Sequence, residues 1–348
     1  MKKLIRLALQ ILQKNEEIVI ATIIKRQGSA PREAGTKIVI RNDGSFIGTI
    51  GGGLIESQVI ETAKNVFKSG QSVLNSFDMT HEQMETGSMI CGGKVEVLID
   101  IFKPNSPDLS VLQTIFQAYT QQNAAFTITS IASDQKKGCQ TEHCLLEKSG
   151  LIKGDTPFSH ELPDSIKTQI ISSKLPAVFE LEETKIWVEP LVFPKKLFIF
   201  GAGHVSRPTA ALSASVGFQV IVLDDRKEFI HADFFPEPIV ARAVEDFNFC
   251  LDDLNINQNS YLVIVTRGHF YDKSILSQAL KTDAEYIGMI GSRTKRDKIY
   301  SYLLEEGFKQ EDLNRVHSPI GLKMGAETPE EIAISIVAEL VNTRAKNR

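Results

Sequence analysis

Apolar residues recur at Leu4, Ala8 and Ile11 in the opening MKKLIRLALQILQ, a helical spacing that predicts an amphipathic first helix. Arg6 and Gln10 interrupt the apolar stretch and no small-residue cleavage site follows, so it reads as a helix of the folded chain and not as a secretion signal. A β-branched run from Glu17 to Ile24 predicts a strand, and the segments KIVI and SFIGTI, flanking Asn42-Asp43-Gly44, predict a hairpin. The period then changes. Ile55, Val59, Ala63 and Phe67 step by four, with Gly70 where a left-handed cap would fall, so a helix starts directly from Gly51-Gly52-Gly53. KVEVLIDIF, Lys94 to Phe102, returns to a strand pattern until Pro104 and Pro107 break it. This mixture predicts an N-terminal α+β domain over residues 1–190.

Residues 104 to 190 carry a weaker pattern: a helix around Leu109 to Thr120, a strand at AFTITSIA, a polar stretch through Cys139 to Cys144, and a strand near Lys185 to Val188. Glu189-Pro190 and then Pro194 mark the expected linker. Beyond it the rhythm is regular. KLFIF is a short apolar strand, GAGHVSRPTAALSASVG a turn and helix ending at Gly217, and FQVIVLDD a second strand. PIVARA, SYLVIVT and EYIGMIG alternate with helices at Tyr271 to Leu280 and Ser292 to Glu305. Residues 195–348 are therefore expected to form a Rossmann-like, doubly wound parallel sheet, and the whole chain to be of the α/β class. The last helix opens on Thr328-Pro329-Glu330-Glu331, an N-cap, a Pro at the first helical position and a capping-box Glu.

Composition narrows the function classes. Of 348 residues, 42% are apolar and 24% charged, which excludes fibrous and disordered chains. Lys and Arg number 20 against 22 Asp and Glu up to Pro194, and 19 against 21 after it, so neither half has the basic excess that nucleic acid or an anionic membrane would require. The 4 cysteines are too few and too scattered for a disulfide framework and point to the cytoplasm.

The candidate chemistry lies in glycine-rich turns. Gly201 and Gly203 after a strand let the backbone approach a phosphate at a helix start, with Ser206 at the sixth position of the fingerprint. Asp224 and Asp225 fall about twenty residues on, where a carboxylate would hold a ribose, while Arg226 beside them would suit a 2′-phosphate. His204 could face the same crevice. TRGHFYD brings Arg267, His269 and Asp272 to the carboxyl end of a central strand, and MIGSRTK adds Arg293 and Lys295 as anion partners. In the first domain, QGSAPREAG with Arg32 reads as a ligand loop, and Gly51, Gly52 and Gly53 as an anion-binding nest with Glu56 in the first helical turn. Cys91, beside two further glycines, could be a soft ligand or a sulfur carrier, or a small buried residue. Cys139, His143 and Cys144 lack a second ligand pair with zinc spacing, so no metal site is assigned.

Taken in order, GSAPREAG, DGSFIGTIGGGLIE, CGGKVEV, FIFGAGHVSRP, VLDDR, TRGHFYD, YIGMIGSRTK, SPIGL and TPEEIAISIVAEL resemble the XdhC/CoxI family of accessory proteins for molybdenum hydroxylases. The resemblance implies a chaperone, not an enzyme, that binds the molybdenum cofactor as molybdopterin or its dinucleotide form. It implies delivery in sulfurated form to a xanthine dehydrogenase-type hydroxylase, with a cysteine desulfurase as second partner; a homodimer is expected only because two-fold dimers are the commonest assemblies of soluble proteins. Matching motifs carry Gly51, Gly52, Gly53, Glu56 and Cys91 to the cofactor site, and Gly201, Gly203, His204 and Asp225 to the Rossmann crevice. The residues alone leave two rivals, an NAD(P)-dependent oxidoreductase and a nucleotide-sensing regulator. With 4 cysteines the chain cannot carry the iron–sulfur clusters of xanthine dehydrogenase itself.

Overall fold

The computed structural model describes residues 1–28, 32–78, 93–134, 138–154 and 162–346. The chain divides into two units, Met1–Phe193 and Pro194–Arg348. Among the described residues no helix is long and apolar enough to cross a membrane.

The first unit opens on α1 (Lys2–Leu12), whose buried face is Ile5, Ala8, Leu9, Ile11 and Leu12. A five-stranded antiparallel sheet follows, built from β1 (Ile18–Gly28), β2 (Lys37–Arg41), β3 (Phe46–Gly48), β4 (Val73–Asp78) and β5 (Gly93–Phe102) in the order β3-β2-β1-β5-β4. Side chains alternate along β1. Val19, Ala21 and Ile23 pack with Ile55, Val59, Ala63 and Val66 of α2 (Gly53–Ser69), while Ile18 and Ile20 pack with α1 and with Val111, Leu112 and Ile115 of α3 (Pro107–Gln121). Both faces of β1 are covered, which is why its sequence reads as an unbroken apolar run. Gly70 ends α2 in the left-handed conformation, as its position predicts.

A second antiparallel sheet takes in β6 (Ala125–Asp134), β7 (Gly138–Glu147), β8 (Ile152–Lys153), β9 (Ala177–Leu181) and β10 (Thr184–Pro190), in the order β8-β7-β6-β10-β9. Here two expectations are corrected. The supposed polar stretch through Cys139 and Cys144 is strand β7, whose buried face includes His143 as well as leucines. His143 Nε2 stands 3.2 Å from Asp100 on β5, and Thr141 donates to the same carboxylate at 2.8 Å, so buried polar groups disguise the strand's alternation. Glu189-Pro190 is not the linker but the end of β10. The Glu189 carboxylate is paired with Lys37, and Pro190 lies past the end of β9, which pairs only with Thr184 to Val188. The helix α4 (Asp164–Ser172) packs Ile170 into this sheet's own core and had no clear periodicity in the sequence.

The second unit is a six-stranded parallel sheet of β11 (Lys196–Phe200), β12 (Gln219–Asp224), β13 (Val240–Ala243), β14 (Ser260–Ile264), β15 (Tyr286–Met289) and β16 (Val316–His317). Its order is β13-β12-β11-β14-β15-β16, the doubly wound arrangement expected. Helices cover both faces. Leu197 and Ile199 pack with α5 (Ser206–Ser215) and α9 (Pro329–Lys346), and Phe198 and Phe200 with α6 (His269–Ala279) and α7 (Arg293–Glu305). The short α8 (Gln310–Leu313) leads into β16.

Candidate ligand-binding site

The switch in strand order falls at β11, between β12 and β14, and the loops leaving these strands carry one group of the expected site residues. Gly201 turns at φ +110°, and its N–H donates to Leu223 at 2.7 Å. An added Cβ would stand 2.5 Å from the Val265 carbonyl oxygen, so only glycine permits this approach of the loops after β11 and β14. Gly203 differs: a Cβ there would meet nothing within 4 Å. Ser206, sixth in the fingerprint, is buried with its hydroxyl unpartnered and packs simply as a small side chain. His204 is exposed in the turn, and Arg267 and His269 are exposed at the start of α6.

The two carboxylates after β12 are not interchangeable. Asp224 is buried and accepts four hydrogen bonds, from Ala202 N–H at 2.7 Å and from the backbone, Nε and Nη2 of Arg226, each at 2.9 Å. Burial opposes its charge, but these donors outweigh the burial and hold it below its ordinary 3.8. It pins the glycine turn and has no lone pair left for a ribose. Asp225, the residue the motif match favours, accepts from Arg267 at 2.9 Å and remains at the mouth of the crevice. Arg226, read as a partner for a 2′-phosphate, is committed to Asp224 and stacked 3.7 Å from the centre of the Phe229 ring.

Gly51, Gly52, Gly53, Glu56 and Arg32 belong to the first unit. The three glycines take φ of 138°, 74° and 63° and lead into α2, with open space beside Gly52 and Gly53. Glu56 folds back to accept from Thr49 Oγ1 at 2.7 Å and Ile50 N–H at 3.3 Å, fastening the loop that precedes its own helix. Arg32 is exposed. Cys91 lies outside the described residues. Cys139, Cys144 and Cys250 are buried, and burial pushes each thiol up to about 12, which makes them poor thiolates.

The XdhC Rossmann domain matches residues 197–340, and the XdhC and CoxI family domain matches residues 11–78. This chain belongs to the XdhC and CoxI family. A relative from Bacillus subtilis (strain 168), named as a probable xanthine dehydrogenase subunit, is 27% identical over 97% of this chain and 96% of its own. The "Molybdenum cofactor insertion chaperone PaoD" of Escherichia coli (strain K12) is 20% identical over 99% of this chain and 88% of its own. A crystal structure from Bacillus halodurans, described as a xanthine dehydrogenase, shares the fold with a TM-score of 0.79 at 23% identity, covering 99% of this chain and 96% of the other.

Within the family's Rossmann domain, sequence reasoning overlooked several side chains near the expected residues. Arg207, second in α5, lies 3.4 Å from the centre of the Phe234 ring. Lys295, expected as an anion partner, is ion-paired to the wholly buried Asp272, which also accepts from Thr266 Oγ1 at 2.5 Å. Burial raises the Asp272 carboxyl above 3.8 despite both partners. Phe270, Lys273, Lys298 and Tyr302 line a groove with Arg267 and His269. Their spacing of three and four along two helices was the available signal.

Proposed function

We propose that this protein binds the molybdenum cofactor, as molybdopterin or its dinucleotide form, and delivers it in the cytoplasm to a xanthine dehydrogenase-type molybdenum hydroxylase. By the family resemblance, a cysteine desulfurase supplies the sulfur. The likeness to a molybdenum cofactor insertion chaperone over nearly the whole of both chains carries this reading. The geometry supports it at the phosphate: the space beside Gly203 is open, the turn before α5 is held by Asp224, and Arg267 and His269 stand exposed after β14. Gly51, Gly52 and Gly53 offer a second glycine-rich helix start, and Cys91 would supply a soft sulfur ligand to molybdenum.

The strand order favours a nucleotide as part of the ligand, which the dinucleotide form contains. It equally suits an NAD(P) oxidoreductase, but the buried carboxylate after β12 is spent on Ala202 and Arg226. Substrate-dependent turnover of NAD or NADP by purified protein would favour that rival. The direct test is purification from a host that makes the cofactor, followed by oxidation and pterin fluorescence. Bound pterin is expected, and its repeated absence from protein free of other ligands would defeat the proposal. Cys91→Ser should lower the retained or sulfurated cofactor and leave the Tm unchanged. A destabilised variant with full loading would reject the role of the thiol.

A further inference from the structure

Beside the glycine turn, the second unit holds a groove of about 700 Å³ walled by α6 and α7. It opens where the chain leaves β14 and β15, whereas the glycine turn follows β11. Phe270 and Lys273 are three apart on α6, and Lys295, Lys298 and Tyr302 step by three and four on α7, so α6 turns one lysine and α7 two towards the groove, each with an aromatic ring. Carboxylates already hold most of the cations: Asp272 holds Lys295, Glu306 holds Lys273, and Asp225 holds Arg267 at the lip. Lys298 has no ion-pair partner among the described residues. Phe270 is 63% and Tyr302 44% exposed. Flat rings left in water beside an uncommitted ammonium group provide a stacking face and a counter-charge within one cavity.

We propose that this groove binds a planar heteroaromatic ring joined to a phosphate, the ring stacking on Phe270 or Tyr302 and the phosphate meeting Lys298. The volume suits a ligand of this size. A nucleotide and a phosphorylated pterin share this chemistry. The inference deepens the proposed function, on which only the pterin alternative rests.

Calorimetry on the full chain with GMP, with phosphorylated 6-hydroxymethylpterin and with inorganic phosphate tests it. Both ring-bearing probes, or one of them, should bind more tightly than inorganic phosphate, and the preference between them identifies the source. Lys298→Ala and Phe270→Ala should each weaken the preferred probe about tenfold. Phe270→Ala should leave inorganic phosphate unaffected. Both side chains are exposed, and an unchanged Tm confirms the fold. The proposal is overturned if neither ring-bearing probe binds, or if both variants bind as the parent chain does. A chain that retains pterin during purification yet fails these titrations loses the groove and keeps the maturation role; sensitive GMP binding without retained pterin does the reverse.

Discussion

At Gly201 an added methyl would press on the Val265 carbonyl oxygen from a backbone held at φ +110°, whereas at Gly203 it would enter open space. Gly201→Ala should therefore cost at least about 2 kcal/mol in chemical denaturation, from strain and overpacking together. Gly203→Val should stay within about 1 kcal/mol of the parent. It should nevertheless weaken phosphate-bearing ligands, because the branched side chain fills the room a phosphate would use; unchanged affinity for AMP, NAD and pterins would remove the turn from the functional account. Asp224→Ala leaves the buried Ala202 N–H and the Arg226 fork without an acceptor, a loss of about 3 kcal/mol measurable by urea unfolding. The motif could mark these positions but not divide their tasks, since whether a glycine or carboxylate faces protein or solvent depends on the neighbouring loops.

The elements of the first unit are fastened by a buried polar cluster as well as by apolar packing. His143 on β7 contacts Asp100 on β5, accepts or donates to Thr129 at 3.1 Å, and stacks on Phe102 with ring centres 4.8 Å apart. Burial disfavours the imidazolium, but the Asp100 carboxylate, with Asp108 and Glu142 nearby, outweighs it and raises the pKa above 6.5. A pKa raised by folding contributes stability that is complete below the unfolded value and is lost as pH rises through the folded value. The urea midpoint of the first unit should thus contain a component that falls as pH rises above about 6.5, and His143→Gln should remove it. An identical pH slope in that variant would exclude His143 as the source. In the second unit the start of α9 was legible residue by residue: Glu331 accepts from the backbone of Glu327 and Thr328, and Thr328 Oγ1 accepts from Glu331 N–H at 3.3 Å. Thr328→Ala should cost about 1 kcal/mol by thermal unfolding. Such a cap uses only neighbours along the chain, whereas the pairing of His143 with Asp100 spans 43 positions and could not be read from local pattern.

At the scale of the molecule, each unit carries its own sheets and apolar clusters, with none of these clusters shared between Met1–Phe193 and Pro194–Arg348. Residues 1–193 and 194–348, expressed separately, should each unfold cooperatively, with near-ultraviolet circular dichroism reporting fixed tertiary packing. A half that stays unfolded on its own would show that its stability depends on the other. The alternation of short apolar strands with amphipathic helices after Pro194 was enough to foresee the parallel sheet, because each strand and helix records its own burial period. The same logic located β1, the β2–β3 hairpin and α2. It missed β4, β8, β9, β16, α4 and α8 and misread β7, where elements are short or bury polar side chains against partners far along the chain. The glycine turns, the starts of α2 and α9 and the family could be read along the chain, because each depends on residues close together in order. That Asp224 serves the fold, that Asp225 meets Arg267, and that two helices bring Phe270 and Lys298 into one groove depend instead on which surfaces meet after the chain has folded, and no local pattern records them.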